Sequence, residues 1–411
     1  MPEYYDALET RVPEERERAL MTALPRQIAL AKERAPYYAR LLDAVRPEDV
    51  ADRRALADLP VTRKSALIEE QRQAPPFGGL ATVAPGELAR IFASPGPIYD
   101  PEGRTPDYWR MARALFAAGF RRGDVVHNSF SYHLTPAGSM LETGLHALGC
   151  AVVPGGVGQT ELQLQTIADL RPDGYVGTPS FLRILVEKAR EVGTDISSMR
   201  KALVSGEAFP PSVQKELVAS GIVAFQAYGS ADLGLVAYES EAREGLIIDE
   251  GIIVELVHPG TGEIVPPGEV GEVVVTALTR EYPLIRFATG DLSAELPGHS
   301  PCGRTNRRVK GWLGRADQTT KVRGMFVHPT QIAEVVRRHK EIVAARLVVS
   351  SDEKGADTMT LHVEMGEPAE PTDRIAETLQ AVTKLRGTVV VETRGALPND
   401  GKVIEDRRKL A

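Results

Sequence analysis

The stretch Arg171-Pro172-Asp173-Gly174-Tyr175-Val176-Gly177-Thr178-Pro179-Ser180 decides how the chain is read. Pro172, Asp173 and Gly174 are turn formers, each for its own backbone reason. The short apolar run behind them, over 175–177, predicts a strand, and Pro179 opens a helix predicted over 179–191. The same unit recurs on both sides. Downstream come a strand over 202–205, a helix over 211–220 and a strand over 223–226. Upstream, a helix over 107–118 stops at Gly119 and a strand covers 124–127. A helix over 137–148 then stops at Gly149, a strand follows over 150–153, and beyond a glycine-rich loop a helix covers 161–170. Regular alternation of this kind implies parallel strands with helices on both faces of the sheet.

Further out the pattern changes. Glu14 to Lys32 places Leu20, Leu24, Ile28 and Ala31 along one helical face. Pro36, Pro47 and Pro60 then punctuate the chain. From about 245 to 295 the sequence is strand-rich and broken by His258-Pro259-Gly260-Thr261-Gly262 and Pro266-Pro267-Gly268-Glu269, the punctuation of an antiparallel meander. After residue 317 come a strand pair around Lys321 and Phe326, a helix over 329–339, strands over 344–350 and 358–364, a helix over 372–383 and a last strand over 388–392. That is an α+β unit of its own. The fold class is therefore α/β: a large N-terminal domain, 1–316, with a β-rich part at about 245–295, and a small α+β domain, 317–411.

With 411 residues the chain exceeds one ordinary hydrophobic core. A hydrophobic fraction of 43% and a charged fraction of 26% exclude a wholly disordered chain. The formal charge of −7 exerts no general pull on nucleic acid or anionic membrane. No run reaches the ~18 apolar residues of a membrane span, and the Glu- and Arg-rich start does not read as a secretory signal. The cysteines, Cys150 and Cys302, form neither a disulfide framework nor a zinc site by themselves and suit a reducing compartment. A cytoplasmic protein is expected.

Several segments could carry chemistry, and each has a plain alternative. Gly155-Gly156-Val157-Gly158-Gln159-Thr160 lies between a strand and a helix, where backbone N–H groups can hold an anion. It has neither the third glycine of a dinucleotide fingerprint nor a Walker lysine, so a simple turn is the alternative. Ala227-Tyr228-Gly229-Ser230-Ala231-Asp232 follows a parallel strand, at the end where open α/β sheets place ligands. Tyr228 could stack on a base and Asp232 could hold Mg²⁺ beside phosphates; the alternative is a turn with a capping Asp. Asp291, in Thr289-Gly290-Asp291, could accept both hydroxyls of a ribose or merely close a turn. Gly314-Arg315-Ala316-Asp317 and Lys321-Val322-Arg323-Gly324 sit at the domain junction, and Lys402 lies in the turn Leu397-Pro398-Asn399-Asp400-Gly401-Lys402.

Taken in order, these segments resemble the phenylacetate–CoA ligase family of the adenylate-forming (acyl-CoA synthetase) superfamily. The resemblance runs from Ala35-Pro36-Tyr37-Tyr38 and Leu59-Pro60-Val61-Thr62-Arg63-Lys64, through Gly158-Gln159-Thr160-Glu161 with Gln163, Thr178-Pro179-Ser180, Ser205-Gly206-Glu207 and Tyr228-Gly229-Ser230-Ala231-Asp232-Leu233-Gly234. It continues in Gly268-Glu269-Val270-Gly271-Glu272, Pro283-Leu284-Ile285-Arg286, Thr289-Gly290-Asp291-Leu292, Cys302-Gly303-Arg304 and Gly314-Arg315-Ala316-Asp317. It ends in Arg323-Gly324-Met325-Phe326-Val327-His328-Pro329 and Gly401-Lys402.

The resemblance implies a two-step enzyme. An aromatic carboxylic acid and ATP give an acyl-adenylate and pyrophosphate, a mobile C-terminal lid domain turns, and coenzyme A displaces AMP. It implies that Ser205, Gly206, Glu207 and Ala208 line the adenine, that Tyr228 stacks on it with Gly229 and Ser230 alongside, and that Asp291 holds the ribose. Asp232 would bind Mg²⁺, Arg315 would approach the phosphates, Asp317 would be the hinge, Gly324 would join the nucleotide site, and Lys402 would bridge carboxylate and α-phosphate. Phe130, Tyr132, His133, Ala137 and Gly138 would form the acid pocket, whose aromatic walls favour a flat aromatic acid. His133 could instead be an ordinary rim or core histidine. No nucleic-acid or membrane partner is implied, and a homodimer is allowed.

Three departures stand out. The family's Ser/Thr/Gly-rich phosphate loop corresponds here to Phe92-Ala93-Ser94-Pro95-Gly96-Pro97-Ile98-Tyr99-Asp100, where prolines remove backbone donors and Asp100 and Glu102 add negative charge. The family's Mg²⁺-binding Glu is Asp232, one methylene shorter. Some relatives hold zinc through a Cys/His set, whereas Glu239-Ser240-Glu241 and Ser300-Pro301-Cys302 leave one thiol, short of the ~4 ligands zinc needs, so no zinc is expected. An adenylating enzyme with another acceptor, or a non-catalytic nucleotide- or acyl-binding descendant, therefore stays open. Retention of Asp291, Arg315, Asp317 and Lys402 together argues against decay.

Overall fold

The computed structural model describes residues 3–94, 98–258, 261–316, 320–323, 325–327, 329–352, 355–366, 372–398 and 402–408. The chain divides into two compact units, Met1–Gly314 and Arg315–Ala411. The fold is mixed α/β, with a large sheet in the first unit and a small one in the second.

In the first unit come α1 (Pro13–Arg34), α2 (Pro36–Leu41), α3 (Arg53–Ala57) and α4 (Leu67–Gln73), with β1 (Thr62–Arg63) between the last two. The stripe Leu20, Leu24, Ile28 and Ala31 is buried, which is why α1 lies down on the β-rich part of the unit. An antiparallel strand pair follows, β2 (Arg90–Ser94) and β3 (Ile98–Glu102). The helix expected over 107–118 is shorter, α5 (Met111–Ala117). Asp107 and Arg110 both adopt left-handed backbone (φ 51° and 62°), and the Asp107 carboxylate accepts the Ala112 N–H at 3.2 and 3.1 Å. The carboxylate thus starts the helix late by capping it.

The alternating run then builds β4 (Val125–Asn128), α6 (Ala137–Leu148), β5 (Ala151–Pro154), α7 (Thr160–Leu170), β6 (Gly174–Gly177), α8 (Pro179–Val192), β7 (Lys201–Val204), α9 (Pro211–Ala219) and β8 (Val223–Ser230). The strands are parallel in the order β5-β4-β6-β7-β8. Gly177 shows why the quoted stretch needs its glycine. A Cβ there would sit 2.1 Å from the Tyr175 hydroxyl and 2.2 Å from Ser129 Oγ, which bond to each other at 2.5 Å. The sheet continues antiparallel through β9 (Gly234–Glu239), β10 (Leu246–Ile248), β11 (Ile252–Val257), β12 (Val270–Ala277), β13 (Phe287–Leu296) and β14 (Arg308–Val309), with β1 lying parallel beside β13. The meander read from the Pro-Gly punctuation is this half.

The short strand β15 (Gly314–Arg315) marks the boundary. The second unit holds the hairpin β16 (Thr320–Val322) and β17 (Met325–Val327), then α10 (Pro329–Arg338), β18 (Ile342–Ser351), β19 (Asp357–Met365), α11 (Thr372–Thr383) and β20 (Thr388–Glu392). The expected last strand, β20, is not the last: β21 (Ile404–Asp406) runs parallel to β18, giving the order β20-β19-β18-β21. Ile332, Val335, Ile375 and Leu379 face the buried side of this sheet. No helix among the described residues is long and apolar enough to cross a membrane.

Candidate functional site

The carboxyl ends of parallel strands leave backbone N–H groups and side chains pointing out of the sheet, and Ser205 to Ala208 and Tyr228 to Asp232 lie at the ends of β7 and β8. Ser205 follows β7, and its hydroxyl donates to the Ala227 carbonyl at 2.8 Å, tying the end of β7 to β8. Gly206 has φ 81°, a left-handed turn that lets Glu207 come back to accept the Ser180 N–H at 3.3 Å, while Ala208 is exposed. The segment 227–232 is not the turn that its composition permits. β8 carries Ala227, Tyr228, Gly229 and Ser230 as strand residues paired with β9, with a register shift between Tyr228 and Gly229. Gly229 needs to lack a side chain, because a Cβ would meet the Gly234 carbonyl at 2.5 Å.

That pairing aims Tyr228 across the sheet. Its hydroxyl donates to Asp291 Oδ2 at 2.9 Å and lies 3.3 Å from Thr289 Oγ1, while Trp312 Nε1 donates to Asp291 Oδ1 at 3.1 Å. Residues far apart in sequence thus meet at one carboxylate, each oxygen of which is fixed by a donor. A carboxylate oxygen has two lone-pair positions, so each still has capacity to accept a hydroxyl. Sequence reasoning does not reach Trp312; its only signal is an isolated tryptophan shortly before the domain junction.

A second cluster surrounds Asp232, in the turn between β8 and β9. Its side chain is fully buried and pairs with the Lys64 ammonium. Asp100, also fully buried, accepts the Ser94 hydroxyl between β2 and β3. Burial, and then the negative charge of Asp232, hold the Asp100 carboxyl well above the usual range, with Lys64 opposing. Asp100 Oδ1 and Asp232 Oδ1 are buried without a hydrogen-bond partner among the described residues. Gln71 fixes β3 from outside, donating to and accepting from the Tyr99 backbone at 2.9 and 2.8 Å. Tyr282 completes the enclosure, its phenol pushed upward by burial and by the charges of Asp100 and Asp232. Of the expected phosphate loop, Phe92 to Asp100, residues 95–97 lie outside the described residues, and Ser94 and Asp100 belong to this enclosure.

The glycine loop after β5 resolves toward the turn. Gly155 and Gly156 donate their N–H groups to the carbonyls of Val153 and Asn128, and Gln163 Nε2 donates to the Gly156 and Gly158 carbonyls at 2.9 and 2.7 Å. Two of the donors an anion would need are thus engaged. Gln163 also meets His127 Nε2 at 2.7 Å, and burial lowers the pKa of that imidazole.

Of the acid-pocket candidates, Phe130 is buried in the core around β4 and Ala137 packs against it. Tyr132 is held by Asn128 at 2.8 Å and donates to Glu142 at 2.8 Å, and Gly138 admits its ring because a Cβ would lie 3.0 Å from it. Burial and the Glu142 carboxylate push the Tyr132 phenol upward. His133 is exposed, its N–H bonded to Ser131 Oγ at 3.2 Å.

In the second unit, Lys402 is exposed in the segment between β20 and β21. Arg315 lies in β15. Asp317 and Gly324 lie outside the described residues.

Residues 108–279 match the family model described as AMP-binding enzyme. The chain is 36% identical to the phenylacetate–coenzyme A ligase of Thermus thermophilus over 89% of its own length and 85% of that protein. It is 33% identical to the phenylacetate–coenzyme A ligase of Aromatoleum evansii over 86% of its length and 82% of that protein. A solved structure of 2-hydroxyisobutyryl-CoA ligase, in complex with 2-HIB-AMP and CoA in the thioesterification state, superposes with a TM-score of 0.83. It covers 100% of this chain and 93% of that one at 24% identity, a likeness of fold.

Proposed function

Because the chain belongs to the phenylacetate–coenzyme A ligase family of AMP-binding enzymes, we propose that it is an ATP-dependent aryl-acid–CoA ligase that forms an acyl-adenylate and then an acyl-CoA thioester, releasing pyrophosphate and AMP. The observation that carries the nucleotide half of this reading is the Asp291 carboxylate, oriented on one side by Tyr228 and on the other by Trp312. A vicinal diol presents two hydroxyls, and a carboxylate fixed at both oxygens accepts them without first having to be ordered. Tyr228 offers its ring to the base, and the turn Ser205-Gly206-Glu207-Ala208 lies one strand away.

The reaction joins two anions, so cations must manage the charge. Mg²⁺ takes oxygen ligands, and Asp232 Oδ1, buried and unpartnered among the described residues, suits one. When bound, the ion supplies neutralisation of phosphate charge. Lys402 is assigned the ammonium that bridges the acid and the α-phosphate, where negative charge gathers on phosphoryl oxygens. Arg315 is assigned to the phosphates, and Asp317 to the hinge of a lid beginning at residue 317. Gly324 belongs to the same nucleotide site by family position. Phe130, Tyr132, Ala137 and Gly138 wall the acid, with His133 at its exposed rim.

The test is pyrophosphate release from ATP and Mg²⁺ across a panel of phenylacetates, benzoates and heteroaromatic acids, with and without coenzyme A. Acid-dependent release together with thioester formed only when coenzyme A is present supports the reading. Acid-dependent release without thioester assigns another acceptor. Nucleotide binding without turnover would make the chain a non-catalytic descendant.

A further inference from the structure

Lys64 and Asp100 were not assigned by family position, yet they meet Asp232 in one buried enclosure. Lys64 comes from the turn after β1, Asp100 from β3, and Asp232 from the β8–β9 turn. The two carboxylates are fully buried, and among the described residues each has one oxygen with a partner and one without. Leaving a buried carboxylate oxygen unpaired costs free energy. Two such oxygens in one enclosure point to a ligand that accepts electron pairs.

The donor type says which. Hard divalent cations take carboxylate oxygens in preference to any other protein donor. The ammonium is also the one member that can leave. The Lys64 side chain is 29% exposed while that of Asp232 is 0% exposed, and a lysine stem has the reach and rotational freedom to swing outward.

We propose that Asp100 and Asp232 form a two-carboxylate site for a divalent cation, and that Lys64 is its built-in counter-ion, displaced when the cation binds. Asp100 thereby contributes to the cation site from the strand behind the altered loop, where composition alone suggests only added negative charge. This deepens the proposed function, since it concerns the site assigned to the cation of the nucleotide, but it can fail while adenylation stands.

The experiment is a Mn²⁺ titration of the full chain without nucleotide, followed by electron paramagnetic resonance of the unbound ion. Lys64→Met should bind Mn²⁺ at least tenfold more tightly than the wild type, because the competing ammonium is gone. Asp100→Asn and Asp232→Asn, each placed in the Lys64→Met background, should weaken binding at least tenfold. A purely structural Lys64 would give the opposite or no change, so a Lys64→Met protein that binds no better overturns the proposal. So does undiminished binding after Asp100→Asn. Should a variant fail to fold, the wild type still decides. Saturating Mn²⁺ should raise the rate at which an amine-reactive reagent labels Lys64, read by mass spectrometry against the other lysines; an unchanged rate overturns the exchange. Pyrophosphate release by the wild type is measured separately, and its absence would count against the ligase reading alone.

Discussion

Replacing Asp291 by Asn tests the nucleotide seat with little change of shape. In the wild type Asp291 accepts hydrogen bonds from the Tyr228 hydroxyl at 2.9 Å and Trp312 Nε1 at 3.1 Å. An indole N–H can only donate. The carboxamide introduced by Asp291→Asn must therefore turn its oxygen to Trp312 and its NH₂ to Tyr228, whose hydroxyl can reverse and accept. The variant keeps its place but offers the ribose one acceptor oxygen instead of two, and no negative charge. A hydrogen bond to a charged group contributes about 1.5–3 kcal/mol, so losing one and neutralising the other should cost on the order of 2–4 kcal/mol. That is a fall of roughly 30- to 1,000-fold in kcat/KM for ATP, at ~1.4 kcal/mol per tenfold. Tyr228→Phe keeps the ring and the charge and loses only one orienting donor, so a loss of about tenfold or less is expected. The assay is initial-rate pyrophosphate release over a range of ATP at saturating acid, with AMP affinity by calorimetry and a thermal melt as a fold control. An Asp291→Asn enzyme within threefold of wild type in both kinetics and AMP affinity, with an unchanged melt, would refute the assignment of ribose to this carboxylate.

Three further outcomes are expected. Lys402→Ala should lose on the order of 10²–10³ in the rate of adenylation while thioester formation from supplied acyl-adenylate stays near wild type; equal loss in both half-reactions removes the half-specific role. Arg286 is buried, bonds Glu255 at 3.1 Å and donates to the carbonyls of Ala57, Leu59 and Gly262. Arg286→Met should therefore destabilise the first unit by about 3–5 kcal/mol in urea unfolding, and Arg286→Met with Glu255→Leu should recover part of it, because the stranded carboxylate is gone; no recovery sinks the account. Burial, helped by the charge of Asp249, pushes the Asp107 carboxyl up to about 7 from an ordinary value near 3.8. The folded state therefore binds a proton the unfolded chain releases, so this contribution is full below about pH 4 and fades as pH rises through about 7. Urea midpoints should fall between pH 5 and pH 7.5 in the wild type, and Asp107→Asn should flatten that slope; an equal slope in both assigns it to other groups.

The parallel half of the sheet is legible because it rests on local signals. Prolines and glycines bracket short apolar runs, and Pro179 and Pro211 open helices at the positions their residue type favours. The antiparallel meander likewise follows from apolar runs and their punctuation. The late start of α5 is hidden because it depends on Asp107 and Arg110 in left-handed backbone, which composition alone does not announce. The same holds for β8, whose last residues, Tyr228 to Ser230, have the composition of a turn and become strand only because β9 pairs with them. β21 escapes a reading of sequence because it is short and only Ile404 of it is buried; a strand so short is set by its neighbour β18 rather than by its own preference.

The site shows the same division more sharply. Motif order marks Tyr228, Asp232 and Asp291, each near a strand end. It does not show that Tyr228 and Trp312 grip Asp291 from two sides, because those contacts cross 63 and 21 positions of sequence. Nor does it give Lys64 a role, since a lysine after a short strand looks like any solvated charge until Asp232 is placed against it. The altered loop points the same way. In sequence, two prolines and an aspartate read as damage to a phosphate cradle. In the fold, Asp100 is buried, its carboxylate accepts the Ser94 hydroxyl, and it senses the charge of Asp232. An aspartate whose burial only raised the cost of keeping it charged would serve the fold less well than an apolar residue of like size. Its placement beside a second carboxylate and one movable ammonium makes sense where a doubly charged ion is to be received.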